Sequence, residues 1–256
     1  LNQSFEESAM LSEMARFCAI GVMAKTPQPG RSKTRLCPPL QPDQAAALSA
    51  AFLRDTTEMI AAAGRHAPIT AYAAYAPPGM EAALQRHLAP GTTLVLADGA
   101  APMPPGVDGF GRCLLHAMQG MFALGHGAAC VLSSDTPTLP VRLLVQAAEM
   151  LLTPHERGRA VLGACDDGGY YLLGVTAAHA ALFTDIAWST GSVAEATRDR
   201  AHALGLELIE LEPWYDVDDA ASLARLITDT EHGAAPWTQA ALDRMGLRAA
   251  LSASAA

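Results

Sequence analysis

The chain has 256 residues, half of them hydrophobic and 17% charged, with a formal net charge of −9. That is enough apolar material for one substantial core, and no apolar run reaches the roughly 18 residues that a membrane-spanning helix needs. The acidic balance argues against a nucleic-acid backbone as partner.

Residues 1–15 are polar, carry Glu6, Glu7 and Glu13, and lack the basic flank and apolar stretch of a signal peptide; they read as an N-terminal extension. The run 17–23 is apolar, long enough for one buried strand. The loop after it holds the chain's two lysines, Lys25 and Lys33, together with Arg31 and Arg35, while no acidic residue occurs between Glu13 and Asp43. Pro27, Pro29 and Gly30 forbid regular structure there. A cationic loop at the carboxyl end of a buried first strand is a seat for phosphate, because open α/β sheets bind ligands at that edge. Each charge-assisted hydrogen bond there contributes about 1.5–3 kcal/mol. The alternative is a solvated basic loop, as charge runs often are.

Further along, helical patterns at 43–63, 79–88, 111–124, 140–152, 190–204 and 219–231 alternate with strand-like runs at 68–75, 92–97, 128–133, 160–165, 170–175 and 206–211. This alternation predicts an α/β fold with a mostly parallel sheet. Strands 160–165 and 170–175 are joined only by Asp166-Asp167-Gly168-Gly169, too short for a parallel crossover, so one strand runs against the rest and the sheet is mixed. The reading is one domain over 16–232, followed by an Ala-rich tail, 233–256, that is either a docked helix or frayed.

Four loops carry chemistry besides the basic one. Asp135 stands where the fourth strand becomes loop, in Ser133-Ser134-Asp135-Thr136-Pro137, and is either a ligand for Mg²⁺ or Mn²⁺ or the cap of a turn. Asp167-Gly168-Gly169 is a turn, or a place where backbone approaches a ligand. Trp188 precedes a helix start and lines a pocket or fills the core. In Asp216-Val217-Asp218-Asp219, either Asp216 or Asp218 is the second metal carboxylate, unless Asp218 or Asp219 caps the next helix. The five cysteines are widely spaced with no Cys-x-x-Cys pair, which fits reduced thiols in the cytoplasm, and the eight histidines show no zinc spacing.

Taken together, Ala-Lys-x-Pro-x-Pro-Gly-x-x-Lys-Thr-Arg-Leu (24–36), Ser-Asp-Thr-Pro-x-Leu-Pro (134–140), Asp-Gly-Gly-Tyr-Tyr-Leu-Leu-Gly (167–174), Trp-Ser-Thr (188–190) and Asp-Val-Asp (216–218) resemble one bacterial family. It is the nucleotide-diphospho-sugar-transferase-like family often called "glycosyltransferase A", found beside radical-SAM and selenium-associated proteins. The chain is similar, more distantly, to the guanylyltransferases of molybdenum-cofactor and phospholactate metabolism. The resemblance spans about residues 17–231 and implies a GT-A, Rossmann-like fold. It implies that Lys25, Pro29, Gly30, Lys33, Thr34 and Arg35 meet the nucleotide, with Lys33 and Asp135 catalytic. It further implies that Asp135 with Asp216 or Asp218 holds Mg²⁺ or Mn²⁺, and that Asp167, Gly168, Gly169 and Trp188 face the acceptor. Two departures stand out. The segment Val107–Cys113 has Gly111 where the family carries an acid, and Ser133-Ser134-Asp135 replaces the Asp-x-Asp of many GT-A enzymes.

Two activities follow from the resemblance: glycosyl transfer from a nucleotide-diphospho-sugar to a small-molecule acceptor, or transfer of a nucleotide from an NTP to a phosphorylated acceptor with release of pyrophosphate. The family name favours the first, and four cations in one loop suit the triphosphate of the second. A P-loop NTPase fails on spacing, with Pro27 and Ser32 where Walker A needs glycines. A nucleotide-binding regulatory module without catalysis is the remaining reading.

Overall fold

The computed structural model describes residues 11–98, 102–230 and 234–247. Seven strands, β1 (Cys18–Ala24), β2 (Ile69–Tyr75), β3 (Thr93–Leu96), β4 (Ala128–Leu132), β5 (Arg159–Ala164), β6 (Tyr170–Val175) and β7 (Glu207–Glu210), form one sheet in the order β3-β2-β1-β4-β6-β5-β7. Every pairing is parallel except the two made by β6. The four-residue connection therefore identified the reversed strand pair, and β6 is the strand that runs backwards. The order changes direction between β1 and β4, which opens a crevice at their carboxyl ends.

Helices α1 (Pro42–Ala63), α2 (Glu81–Gln85), α3 (Phe110–Ala123), α4 (Val141–Leu152), α5 (Val193–Ala203), α6 (Ala220–Thr230) and α7 (Pro236–Arg244) cover the sheet. Alternation along β1 shows how two cores arise from one strand. Cys18, Ile20 and Val22 face one core with α1 and α4, while Ala19 and Met23 face the other with α3 and α5. A third cluster joins Leu36 and Leu40 to Phe52, Tyr215, Val217 and Leu226, and so ties the basic loop to the last helices.

The differences from expectation lie at element ends. The helix expected over 79–88 is the short α2, which gives way after Gln85 to tighter turns in which the His87 and Leu88 N–H groups donate to the Leu84 and Gln85 carbonyls. The one expected from 190 starts at Val193, because Ser189 adopts a left-handed φ of 64° and turns the chain first. Thr34–Leu36 form a 3-10 turn inside the loop expected to be irregular. Part of the tail is helical, as α7. Its first turn is capped from α1: the buried Asp55 carboxylate accepts from the backbone N–H of Trp237 at 3.0 Å and of Thr238 at 2.7 Å. Residues 1–10 of the N-terminal extension, and 233 and 248–256 of the tail, lie outside the described residues. Among the described residues no helix is long and apolar enough to cross a membrane.

Candidate functional site

A crevice of about 710 Å³ opens at the switch between β1 and β4. One wall is the basic loop, from Lys25 and from Arg31 to Arg35; the other is Ser133-Ser134-Asp135 and Asp218. Small residues at the ends of β2 and β3 (Ala74, Ala76, Ala97) widen one side, and Gly109, Phe110, Cys113, Tyr170 and Ser189 line the other.

The loop reaches this crevice by two tight turns. Arg31 and Ser32 both donate from their backbone N–H to the Gln28 carbonyl, and the Ser32 hydroxyl accepts from the Gln28 N–H at 3.0 Å. Lys33 then takes a left-handed conformation, φ 49°, and starts the 3-10 turn whose Leu36 is fully buried. The result sends the two lysines to different fates. Lys25 is exposed at the crevice edge, whereas the Lys33 side chain is 8% exposed. Its ammonium lies 2.8 Å from Asp135 Oδ2 and 2.9 Å from Asp218 Oδ1, and donates to the Val217 carbonyl at 2.6 Å. Burial alone would lower its pKa, but the charges of Asp135 and Asp218 and their hydrogen bonds outweigh that and hold it above the ordinary value. Arg35 approaches the other Asp218 oxygen at 3.7 Å and stays mostly exposed.

The carboxylates are set by their own backbones. Ser133 Oγ accepts from the Asp135 N–H, Ser134 donates to Asp135 Oδ1, and the Val217 N–H donates to the Asp135 carbonyl at 2.9 Å. That last bond clasps the 216–218 segment against the end of β4. The three aspartates of 216–219 have different partners. Asp219 accepts from the Ser222 N–H at 2.8 Å and caps α6, while the Asp218 carboxylate faces Lys33.

Asp216 turns elsewhere. With Cys165 and Asp167 it forms a group whose ligand atoms lie within 4.8 Å of one another. Burial pushes the Cys165 thiol far up, as do the charges of Asp216 and Asp167. Asp216 itself is pushed up to about 6, first by burial and then by the charges of Asp167 and Asp218. A raised carboxyl pKa means that the folded state binds the proton more tightly than the unfolded chain. The associated stability is therefore full below about pH 4 and lost as pH rises through about 6. Asp216→Asn is expected to relieve this penalty. Discounted for screening of a half-buried group, the gain at pH 8 is about 1 kcal/mol, or roughly 2–4 °C. Calorimetry in EDTA checks it: a gain at pH 8 and none at pH 4 is the expected pair, and an unchanged or lower melting temperature at pH 8 contradicts it.

Of the residues singled out in the sequence, Lys25, Lys33, Thr34, Arg35, Asp135 and Asp218 line the crevice; Pro29, Gly30, Asp167, Gly168, Gly169, Trp188 and Asp216 do not. Gly30 shapes the turn, with φ 71°. The 167–169 turn is held by the Gly169 N–H donating to Asp167 Oδ1 at 2.8 Å. Trp188 packs edge-to-face on Phe110, with ring centroids 5.8 Å apart, and lies over the start of α3. A Cβ on Gly111 would come within 2.8 Å of the Trp188 ring, which explains why glycine stands where the resembling family carries an acid. Sequence reasoning missed Phe110, Cys113, Tyr170 and Ser189 as crevice residues. The unusual backbone at Gly109, φ 54°, brings the start of α3 to the rim, and only the glycine spacing of 109–111 hinted at it.

The family described as "Uncharacterized protein conserved in bacteria (DUF2064)" matches residues 59–190, over half of the chain. Among solved structures, a Desulfovibrio desulfuricans G20 protein provisionally named a nucleotide-diphospho-sugar transferase shares the fold. Its TM-score is 0.69 at 26% identity, over 85% of this chain and 88% of that one. CMP:2-keto-3-deoxy-manno-octonic acid synthetase complexed with CTP aligns at TM-score 0.48 and 14% identity, over 82% of this chain and 96% of its own. Rv0371c of Mycobacterium tuberculosis H37Rv, in complex with manganese, aligns at 0.39 and 15%, over 82% and 97%. No curated protein matches the sequence.

Proposed function

The chain belongs to the DUF2064 family of bacterial proteins, and for this member we propose a transferase that takes a nucleotide-diphospho-sugar as donor and passes the sugar to a small-molecule acceptor. The observation that carries it is the convergence of Lys33, Asp135 and Asp218 beneath a loop bearing Lys25, Arg31 and Arg35, at the carboxyl ends of β1 and β4. The name of the Desulfovibrio protein supports the choice of donor.

In this reading Lys25, Arg31 and Arg35 hold the diphosphate, as exposed guanidinium forks and a point charge suit phosphate oxygens. Asp135 and Asp218 hold Mg²⁺ or Mn²⁺. The donor set fits such an ion: both are oxygen ligands, and both already point at one cation, the Lys33 ammonium. The bound metal would stabilise the charge that develops on the departing nucleotide diphosphate. The surface of Phe110, Tyr170 and Ser189 is left for the sugar and its acceptor, and the remaining work of the protein is positioning. A second reading, nucleotidyl transfer from an NTP, is favoured by one observation, the four basic residues along a single wall, a charge suited to three phosphates.

Incubation of the protein with Mn²⁺ and panels of nucleotide-sugars and NTPs separates the two by the product released. Nucleoside diphosphate from a nucleotide-sugar, stopped by EDTA, is expected. Pyrophosphate from an NTP would replace the first reading with the second, and full turnover in EDTA would remove the metal from both.

A further inference from the structure

The Lys33 ammonium has three N–H donors, and all three are taken, by Asp135, Asp218 and the Val217 carbonyl. It therefore has no donor left for a phosphate in this conformation, although it belongs to the loop whose Lys25, Arg31 and Arg35 are read as holding the diphosphate. It also fills the point on which the two carboxylates converge, so a divalent cation and this ammonium cannot occupy the site together.

We propose that Lys33 acts as a latch on the cation site: in the nucleotide-free protein its ammonium takes the place of the divalent cation between Asp135 and Asp218, and the cation enters only when a polyphosphate draws the lysine away. The proposal rests on the reading of the crevice as a metal–nucleotide site and specifies its order of loading. The backbone of Lys33 cannot supply the movement. It is pinned by the turn at 28–32, by the Leu36 N–H donating to the Lys33 carbonyl at 2.9 Å, and by the fully buried Leu36. Only the four-carbon stem can swing. A swing away from the carboxylates carries the ammonium into the crevice and toward Lys25, Arg31 and Arg35, a wall already positive. A cation arriving alone would thus bring two charges into the site and push a third against like charge. A cation arriving with polyphosphate meets no such barrier, because the displaced ammonium gains phosphate oxygens in exchange for carboxylates.

Mn²⁺ titration followed by electron paramagnetic resonance, with no nucleotide and no acceptor present, tests this independently of any product. Wild type is expected to bind Mn²⁺ weakly, and Lys33→Met about tenfold or more tightly. Lys33→Arg, which keeps a cation in place, is expected to remain weak, and adding Asp135→Asn to Lys33→Met should cancel the gain. Equal Mn²⁺ affinity in wild type and Lys33→Met, or a gain that survives Asp135→Asn, overturns the latch.

Wild-type protein offers a second measurement, should the methionine variant fail to fold. The chain has only two lysines, so labelling with [ε-¹³C]lysine gives two resonances, with the exposed Lys25 as reference. Millimolar Mg²⁺ alone is expected to leave the Lys33 signal in place, and Mg²⁺ with inorganic triphosphate to shift it. A full shift with Mg²⁺ alone, or none with both, overturns the proposal. A latch that passes these tests in a protein that releases pyrophosphate would change the reaction assigned above, not the latch.

Discussion

Replacing Asp135 with asparagine is expected to lower kcat by about 10²–10³-fold, the usual cost of removing one group that stabilises charge developing in a transition state. The same change should leave the fold intact. Asparagine keeps an oxygen for the Ser134 hydroxyl, and the backbone bonds that hold the residue, its N–H donating to Ser133 Oγ and its carbonyl accepting from the Val217 N–H, do not involve its side chain. Lys33 retains Asp218 and the Val217 carbonyl. The lost ion pair joins a carboxylate 31% exposed to an ammonium only 8% exposed, so its loss costs more than that of a surface pair, about 1.5–3 kcal/mol. A large kinetic loss beside a modest drop in melting temperature is therefore the signature of a charge used on the substrate. Turnover within threefold of wild type, measured at saturating Mn²⁺, would show that this carboxylate only anchors Lys33.

Where the sequence was legible, one strong local signal decided each element. Gly and Pro punctuated the strands, and the short Asp166–Gly169 link excluded a parallel neighbour without any knowledge of the third dimension. The strand order was not legible, because it is set by which helix faces find each other, as when Asp55 in the middle of α1 caps the distant α7. The site followed the same division. That Lys33, Asp135 and one aspartate of 216–218 belong together was readable from charge at strand ends. Which of them meets Lys33 was not readable, because Asp216 and Asp218 share one short segment and only the folded backbone turns Asp218 to Lys33 and Asp216 to Cys165 and Asp167. The two lysines looked like a matched pair because they are close in sequence. A single left-handed residue, Lys33 itself, turns one into the crevice floor and leaves the other at its edge.

The 167–169 turn, read in the sequence as an acceptor-side element, lies outside the crevice lining, and a pair of glycine substitutions defines what it does. Gly168 has φ 88°, and a Cβ there would sit 2.0 Å from the Gly191 carbonyl oxygen and 2.6 Å from its carbon. Both are backbone atoms that no rotamer change can move. The same glycine accepts the Ala194 N–H at 2.9 Å, so the turn seats the first residues of α5. A methyl group on Gly30, whose φ is 71°, would meet nothing within 4 Å. Alanine at Gly30 thus incurs only the left-handed backbone strain, about 1–2 kcal/mol. Alanine at Gly168 incurs that strain and must also part the turn from the 189–192 loop, for a total of about 3 kcal/mol or more. Thermal denaturation should show the Gly168→Ala variant melting well below Gly30→Ala, by roughly 4 °C or more for a domain of this size. The consequence for function runs through Ser189 and Trp188. Parting the loop shifts Ser189 on the crevice wall and loosens Trp188 over Gly111 at the start of α3, on the side away from the basic loop. Gly168→Ala is expected to raise the acceptor KM while leaving donor affinity close to wild type. A rise in donor KM of the same size would mean that the turn supports the whole crevice, and equal melting temperatures for the two variants would mean that the contact with Gly191 yields at no cost.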